Sequence, residues 1–473
     1  MEQIERIYFV GAGGIGMAAL ERYYLAKGIP VAGYDRTPSE LTEHLEKEGA
    51  RIFFEDDAEK SIPAEFRSRE GTLVVFTPAI PEDNRVLGFF RNNGFEIIKR
   101  AALLGMITRE SKGLCFAGTH GKTTTSSMAA HVMHSCAADC NAFLGGVLRN
   151  YDSNFLLAPR SPYSVIEADE FDRSFHQLRP YIAVITSTDP DHLDIYGTEE
   201  GYLEGFARFT ELVRPDGALV VHEGLKLRPR PQKGVKVYSY GLNSGDFHAE
   251  NIRHGNGEIH FDFIAPDGRI DDINLGVPVE INIENGVAAL AACWLTGDIE
   301  PEKAKEAMSS FMGPKRRFEF RLKEPGSQGR AIIDDYAHHP DELKASITSV
   351  KALYPDRRLT VVFQPHLYTR TRDFADGFAD ALSHADEVIL TDIYPARELP
   401  IEGVTSKIIY DKIRCGKKAL IPREDLIKSV GNLNFEILLT AGAGDIADLV
   451  EGMVEAVADA PGCIPASRGT AGL

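Results

Sequence analysis

The chain has 473 residues, 43% of them hydrophobic and 26% charged, and this length indicates about three domains in a globular protein. A formal charge of −18 argues against broad nucleic-acid binding, which needs a basic surface to neutralise phosphates. No apolar run approaches the roughly 20 residues of a membrane span, and the start lacks a signal-peptide pattern, so we expect a cytoplasmic location without membrane insertion. Six cysteines without paired CxxC motifs predict reduced thiols.

The first motif is a glycine-rich turn between a predicted strand and a predicted helix. The stretch "RIYFVGAGGIGMAALERYYLAKGIPVAGYD" indicates a strand, a turn, a helix and a second strand that ends near Asp35. Glycines 11, 13, 14 and 16 (Gly11, Gly13, Gly14, Gly16) would let a diphosphate approach the backbone, and Asp35 has the spacing of an acid that meets a ribose hydroxyl. The motif alone does not separate a nicotinamide cofactor from another diphosphate, and a tight turn without ligand explains it equally well.

Strands and helices alternate along the first part of the chain, and a later strand of this first series runs into a proline-rich loop. The strand is "GTLVVF", and the loop "TPAIPEDN" begins at Thr77. Open α/β sheets bind their ligands at the carboxyl ends of the strands. Thr77 is therefore predicted to share a substrate site with the glycine turn.

Residues 113–128, "GLCFAGTHGKTTTSSM", indicate a second strand, glycine turn and helix. Such a turn holds phosphates with backbone amides, while Lys122 reaches the outer phosphates and the Thr123 hydroxyl ligates Mg²⁺. The usual pattern has a glycine where this chain has Phe116, so a helix start without ligand is the alternative. As a loop lysine, Lys122 is expected to face solvent. The predicted nucleotide contacts of this loop are Gly118, Thr119, His120, Gly121, Lys122, Thr123 and Thr124.

Two further predicted strands, "YSVIEADEFD" and "YIAVITSTDPDHLDIYG", end in acidic residues and a histidine. These endings would place Glu167, Asp169, Asp191 and His192 at the top of a sheet beside the phosphate loop. A carboxylate and a neutral imidazole there would complete a Mg²⁺ shell with Thr123. The alternative is that such acids are helix caps or solvated loop residues.

Short alternating segments over residues 235–275, including "KVYSYG" and "GEIHFDFIAPDGR", predict an antiparallel addition to the central domain. After Gly313 a third series of apolar strands begins, and each strand delivers polar residues to a loop before a helix. The final stretch, "APGCIPASRGTAGL", is predicted to be unstructured. The polar residues of the third series are Tyr336, His338, His339, His366, Tyr368, Arg370 and Arg372.

An ordered set of motifs along nearly the whole chain resembles the Mur ligases: "GAGGIGM", "FTPAIPEDN", "AGTHGKTTT", "EADEFDRSF", "TDPDHLDIYG", "NIENGVAALAA", "RRFE", "DDYAHHPDE", "QPHLYTRTRDF" and "GAGDI". The resemblance implies an α/β protein of three domains. These are an N-terminal Rossmann-like domain (1–111) for a UDP-sugar, a central P-loop ATPase-type domain (112–312) and a C-terminal Rossmann-like domain (313–473) for an amino acid.

The resemblance also implies a reaction in peptidoglycan precursor synthesis. ATP and Mg²⁺ would activate the lactyl carboxylate of UDP-N-acetylmuramate as an acyl phosphate, and the amine of L-alanine would then displace phosphate. The enzyme would be a monomer or a weak homodimer.

Residue roles are likewise implied by the resemblance to the family alone. Glu167 and His192 become metal ligands with Thr123. Asn282 and Asn285 would lie by the adenine. The other roles fall into three sets: nucleotide binding by Arg317 and Asp335; the amino acid and reacting carboxyl by Tyr336, His338, His366 and Arg370; catalysis by Lys122, Glu167, His192, His338 and Arg370.

Two departures from the family pattern leave questions open. The family often has Gly-x-His before the first asparagine, where this chain has Val279 and Ile281, and it often has arginine where this chain has Leu367. The choice among alanine, serine and glycine therefore stays open. The alternatives are a recycling ligase that attaches a peptide to the same UDP-sugar, a nicotinamide-dependent dehydrogenase, and a non-catalytic nucleotide-binding regulator.

Overall fold

The computed structural model describes residues 4–255, 257–326, 328–396 and 398–458. Two compact units are present. The first comprises the residues up to Ile252 together with Phe261–Leu275 and Ile281–Phe311, and the second comprises Arg253–His260, Gly276–Glu280 and the residues from Met312 onward. The predicted boundary between residues 111 and 112 falls inside the first unit, so the domain bounds 1–111, 112–312 and 313–473 stay a prediction. The predicted unstructured tail lies outside the described residues.

The first sheet is wholly parallel and has the strand order β3-β2-β1-β4-β5. Its strands are β1 (Arg6–Val10), β2 (Val31–Tyr34), β3 (Arg51–Phe53), β4 (Thr72–Phe76) and β5 (Glu96–Lys99). Its helices are α1 (Ile15–Ala26), α2 (Glu40–Lys47), α3 (Ala58–Ser61), α4 (Arg85–Asn92) and α5 (Arg100–Glu110), with a 3-10 turn at Ala64–Arg67. The predicted strand, turn, helix and strand at the start of the chain are confirmed.

The second sheet has the order β12-β11-β10-β6-β9-β7-β8 and is parallel except for the pair β7–β8. Its strands are β6 (Lys112–Ala117), β7 (Asn141–Leu148), β8 (Ser153–Leu156), β9 (Tyr163–Glu167), β10 (Ile182–Ile185), β11 (Ala218–His222) and β12 (Lys236–Tyr240). Its helices are α6 (Lys122–Ser135), α7 (Leu193–Tyr196) and α8 (Glu199–Thr210), with a 3-10 segment at Phe171–Gln177.

The segment "KVYSYG" corrects one prediction, because it forms β12 and pairs in parallel with β11 instead of joining an antiparallel addition. An edge strand of a parallel sheet can be half exposed, so its side chains alternate as those of an antiparallel ribbon do. The third sheet, with the order β13-β14-β15, does fall in the predicted region. Its strands β14 and β15 are joined by residues 266–267 alone, which requires an antiparallel hairpin. The elements here are β13 (His248–Gly255), β14 (Glu258–Ala265), β15 (Gly268–Asn274), α9 (Ile281–Trp294) and α10 (Pro301–Ser310).

The fourth sheet lies in the second unit and has the order β16-β17-β21-β18-β19-β20, with only β16 antiparallel to its neighbour. Its strands are β16 (Glu319–Lys323), β17 (Ala331–Asp335), β18 (Leu359–Phe363), β19 (Glu387–Leu390), β20 (Lys417–Leu420) and β21 (Ile437–Ala441). Its helices are α11 (Pro340–Leu353), α12 (Tyr368–Asp373), α13 (Ala375–Leu382), α14 (Lys407–Tyr410), α15 (Leu426–Gly431) and α16 (Ala447–Ala458), with a 3-10 turn at Arg423–Asp425.

A continuous hydrophobic core joins the first two sheets. Helix α1 packs against β7, where the Tyr23 and Phe143 rings meet edge to face at 5.5 Å. No helix among the described residues combines the length and apolar character needed to cross a membrane. The cysteines in the described part of the chain are all unpaired, and Cys115, Cys136, Cys140 and Cys293 are buried while Cys415 is partly exposed.

Glu21 on α1 is an exception within this apolar core. Its side chain is fully buried, and within the described residues neither carboxylate oxygen has a hydrogen-bond partner. Burial raises the pKa of Glu21 well above its ordinary value, and the nearby Asp35 adds to the effect. An acid with a raised pKa stays protonated in the folded state while the unfolded chain ionises, so stability falls as the pH rises above the unfolded-state pKa of about 4.3.

We therefore expect Glu21→Gln to become steadily more stable relative to the unsubstituted protein between about pH 5 and pH 8. The difference in unfolding free energy should grow by about 1.4 kcal/mol per pH unit until the folded-state pKa is reached. Chemical denaturation at several pH values measures it. Glu43→Gln, at an exposed position on α2, is the control and should show a constant difference. A constant difference for Glu21→Gln as well would contradict the assignment.

Candidate active site

The phosphate loop spans residues 118–121 between β6 and α6. Gly118 and Gly121 have φ values of +150° and +83°, a region that disfavours residues with a side chain. The segment after β10 holds the loop: Thr186 Oγ1 donates to the His120 carbonyl at 2.5 Å, and the His120 amide donates to Ser187 Oγ at 2.7 Å. The loop before α6 is therefore held in place by hydrogen bonds. The amides in the first turn of α6 have no acceptor within the helix, and such amides can bind an anion.

Lys122, the first residue of α6, is enclosed by hydrogen bonds. Its ammonium donates to the carbonyls of Gly118 at 2.6 Å and Thr119 at 3.2 Å, and it lies 2.9 Å and 2.8 Å from the two carboxylate oxygens of Glu170. The side chains of Lys122 and Glu170 are only 15% and 2% exposed. The expectation that Lys122 faces solvent is therefore wrong, because a buried carboxylate lies against it.

Glu170 is a site residue that the sequence motifs do not single out. It belongs to the same "EADE" run as Glu167, but acids in that run are interpreted from the sequence as metal ligands or solvated residues. Burial raises the pKa of Glu170, and the ammonium of Lys122 opposes this shift. The only signal in the sequence is that Glu170 is the fourth residue of this acidic run, and its contact with Lys122 is visible only in the folded chain.

Thr123 and Glu167 come together as predicted. Thr123 Oγ1 donates to Glu167 Oε1 at 3.0 Å, and the amide of Gly145 on β7 donates to Glu167 Oε2 at 3.0 Å. Burial raises the pKa of Glu167, while the Thr123 hydroxyl lowers it. His192, which precedes α7, places Nε2 3.9 Å from a Glu170 oxygen. Its ring meets that of Phe171 edge to face at 5.1 Å.

This donor set fits Mg²⁺ held jointly with a nucleotide. Among the described residues no group of three or more His, Cys, Asp or Glu side chains is arranged to hold a metal ion. The predicted set instead offers one carboxylate, one imidazole and one hydroxyl. Mg²⁺ typically takes one or two carboxylates and completes its shell with phosphate oxygens and water, so the chemistry of the set is suitable. The metal assignment of Thr123, Glu167 and His192 stays a prediction.

Asn282 and Asn285 on α9 are buried behind the phosphate loop. The Asn285 amide donates to Asn282 Oδ1 at 2.9 Å, and Asn285 Oδ1 accepts from Thr125 Oγ1 at 3.2 Å. A Cβ atom built on Gly121 would come within 2.9 Å of the same Asn285 oxygen. The pair therefore braces the start of α6, and contact with adenine stays a prediction.

Asp35 braces the first glycine turn. Its carboxylate accepts from the Gly13 amide at 2.7 Å and from the Thr37 amide at 3.2 Å. Thr77 follows β4 and faces the same turn, since a Cβ atom built on Gly11 would lie 2.7 Å from its methyl carbon. The predicted residues are thus brought together, and a ribose contact by Asp35 stays a prediction.

A cavity of about 320 Å³ is lined by residues that belong to two predicted sites of the first unit. Its lining includes Gly14, Gly16 and Thr77 of the predicted substrate site and Glu167 of the predicted metal site. This volume is within the range of small-ligand pockets. The cavity also exposes Arg100, a residue that sequence reasoning missed because nothing in its neighbourhood forms a motif.

The polar residues predicted in the second unit lie at and after the carboxyl ends of β17 and β18. The Tyr336 ring lies under two guanidinium groups, those of Arg316 at 5.0 Å and Arg317 at 5.5 Å from its centroid. Asp335 is buried and accepts from the Ser346 hydroxyl, and burial raises its pKa. The nucleotide roles of Arg317 and Asp335 stay predictions.

Two histidines of this cluster lie close together, with ring centroids 6.1 Å apart for His338 and His366. His338 Nδ1 lies 3.0 Å from the Tyr336 carbonyl oxygen, while within the described residues His366 Nδ1 has no hydrogen-bond partner. Burial lowers the pKa of both histidines, and the charge of Arg370 lowers both further. Both imidazoles are therefore neutral near pH 7.

Leu367, the departure from the family pattern, has a φ of +68°. Its amide donates to the Tyr394 carbonyl at 2.9 Å, and its own carbonyl accepts from the Thr371 hydroxyl at 2.7 Å. A residue with a side chain rarely adopts this conformation, and such strain concentrates at functional loops. The two bonds hold the turn that leads into α12 and Arg370.

The fold and these sites define a member of the Mur ligases. Models of three family domains match consecutive parts of the chain: the Mur ligase family catalytic domain over residues 6–112, the Mur ligase middle domain over 116–293, and the Mur ligase glutamate ligase domain over 316–446. The chain belongs to the Mur ligase family.

Two relatives that match the chain over almost their full length carry the same name. The chain is 58% identical to the UDP-N-acetylmuramate–L-alanine ligase of Parabacteroides distasonis, covering 96% of this chain and 98% of the relative. It is 48% identical to the enzyme of the same name from Porphyromonas gingivalis, covering 94% and 98%. Among solved structures, the UDP-N-acetylmuramate–alanine ligase of Thermotoga maritima has a TM-score of 0.77 at 28% identity, covering 95% and 98%.

Proposed function

We propose that the chain is an ATP-dependent ligase that joins L-alanine to the lactyl carboxylate of UDP-N-acetylmuramate in peptidoglycan precursor synthesis. The observation that carries the proposal is the single cavity shared by the glycine turn and Glu167, which is bonded to Thr123 of the phosphate loop. The relatives named above support this choice of substrates. Both ATP and the UDP-sugar would place the enzyme in the cytoplasm.

The proposed reaction has two steps. A lactyl carboxylate oxygen attacks the γ-phosphorus of ATP, the bond to the bridging oxygen breaks, and ADP leaves. The uncharged amine of alanine then attacks the acyl carbon, the C–O bond to phosphate breaks, and the amine loses a proton. Phosphorylation is needed because a carboxylate oxygen is a poor leaving group. Lys122, Glu167 and His192 of the first unit serve the first step, and His338, His366 and Arg370 of the second unit serve the second.

Lys122 would offset the negative charge that develops on the transferred phosphoryl group. Its three ammonium protons are directed to two loop carbonyls and Glu170, so its position is fixed before a ligand binds. Thr123, Glu167 and His192 would hold Mg²⁺, which supplies charge neutralisation at phosphate oxygens when bound.

The histidine cluster of the second unit suits the amino acid. Arg370 would bind the carboxylate of alanine, since a guanidinium forms paired hydrogen bonds with carboxylates. Alanine binds as an ammonium and must lose a proton before it attacks. His338 and His366 are neutral because burial lowers the pKa of each, so either ring could accept that proton.

The test is phosphate release from ATP and Mg²⁺ with UDP-N-acetylmuramate and one acceptor at a time. We expect release with L-alanine and weaker release with L-serine and glycine, and mass spectrometry should find one alanine added to the UDP-sugar. Release only with a tripeptide would instead identify a recycling ligase. No release with any acceptor would overturn the proposal.

A further inference from the structure

Arg100 is a positively charged residue of the first unit, and the proposed reaction gives it no role. It begins α5 directly after β5, is half-buried, and lines the 320 Å³ cavity. A Cβ atom built on Gly16 would lie 2.7 Å from Arg100 Nη1, so the guanidinium rests against the first glycine turn. Among the described residues it forms no hydrogen bond or ion pair. A guanidinium has five donors, and withdrawing them from water is unfavourable unless an acceptor replaces it.

The backbone of the glycine turn offers few free donors. The amides of the four residues before α1 all donate within the protein: Gly11 and Ala12 to the Tyr34 carbonyl, Gly13 to Asp35, and Gly14 to the Gly11 carbonyl. Only the first helix amides, those of Ile15 and Gly16, remain, because the first turn of a helix has no internal acceptor. Two amides beside the Asp35 carboxylate are a weak site for a ligand with several negative charges.

The remaining charges around the cavity are unfavourable for an anion as well. Glu167 and Asp169 also line it, and the whole chain carries a formal charge of −18. An anionic substrate therefore needs a local cation at the turn. Among the described residues that line this cavity, Arg100 is the one with a positively charged side chain of the arginine or lysine type.

We propose that Arg100 binds the diphosphate of the UDP-sugar, together with the amides of Ile15 and Gly16. This inference rests on the proposed function. A guanidinium can donate two parallel hydrogen bonds to phosphate oxygens, which a lysine cannot do. The diphosphate is the assigned partner, and not the lactyl carboxylate, because Arg100 lies against the glycine turn, while the carboxylate must reach the nucleotide at the phosphate loop.

The test is calorimetric titration of the full chain, without ATP, with UDP and with UDP-N-acetylmuramate. UDP contains the diphosphate but lacks the carboxylate. Arg100→Gln should weaken both ligands by the same factor, about tenfold or more, and Arg100→Lys should lose less. With saturating ATP and alanine, KM for the UDP-sugar should rise while kcat changes little. Arg109→Gln, an exposed position on the same helix, is the matched control and should bind normally.

Each other outcome has a distinct meaning. Weakening of UDP-N-acetylmuramate alone would assign Arg100 to the carboxylate and overturn the proposal, and unchanged binding of both ligands would also overturn it. Failure of the unsubstituted protein to bind either ligand would overturn the proposed function itself. If Arg100→Gln unfolds, as circular dichroism would reveal, the comparison of the two ligands is made with Arg100→Lys.

Discussion

Lys122→Ala is expected to lower the rate of phosphate release by about 10²–10³-fold. The ammonium is the charge of the phosphate loop closest to the transferred group in the proposed reaction, and loss of one such preorganised donor typically has an effect of this size. The measurement is kcat at saturating ATP, UDP-N-acetylmuramate and alanine. Near-normal turnover would contradict the assignment of the loop.

The same substitution should also destabilise the fold, which calls for a control. Removal of Lys122 leaves the buried Glu170 carboxylate without its partner, and breaking a buried ion pair in this way costs about 3–5 kcal/mol. The double variant Lys122→Ala/Glu170→Gln removes that unpaired charge. We expect it to recover most of the lost stability and none of the turnover. Recovery of turnover would show that Lys122 acts only through folding.

Glu167→Gln is expected to lower kcat by about 10²–10³-fold, with little loss of stability. The substitution keeps the shape of the side chain, and burial already disfavours the charged carboxylate. A glutamine oxygen can still accept one hydrogen bond from Thr123 or Gly145, but it is a poor Mg²⁺ ligand. The Mg²⁺ concentration that gives half-maximal turnover should therefore be higher for this variant.

The control for this variant is Glu200→Gln, at an exposed position in the first turn of α8. It removes one negative charge from the same unit without approaching the phosphate loop, and its turnover should be normal. If Glu167→Gln kept its turnover and its Mg²⁺ dependence, the metal would be bound elsewhere.

The sequence predicts the fold well wherever an apolar run is followed by a local turn signal. The strands β1, β6, β17 and β18 and the helices after them are all expected, because burial on both faces makes parallel strands nearly continuous in apolar residues. The edge strand β12 is half exposed, so polar and apolar side chains alternate along it although it pairs in parallel. The alternation reflects exposure and not strand pairing, and the sequence prediction for this strand is therefore wrong. Pairing partners come from the whole chain and leave no local pattern.

The candidate site shows the same limit. Lys122 and Thr123 can be found because their motif is contiguous, and Glu167 because it ends a strand. Glu170 lies 48 residues from Lys122, and Arg100 is even more distant from the glycine turn it contacts. Neither belongs to a recurring spacing, so only the packed structure could connect them with the chemistry.

The placement of the cysteines gives the two units different reactivity toward thiol reagents. Burial raises the pKa values of Cys115, Cys140 and Cys293, all in the first unit, and the thiolate is the form that reacts. Alkylation there must await transient opening of the surrounding core, so its rate reports how often that core opens. Burial raises the pKa of Cys415 as well, but this thiol is partly exposed in the second unit, so among the cysteines of the described residues it should be labelled first in the native protein. A maleimide carrying a fluorophore could therefore tag one unit selectively and leave the nucleotide chemistry of the other untouched.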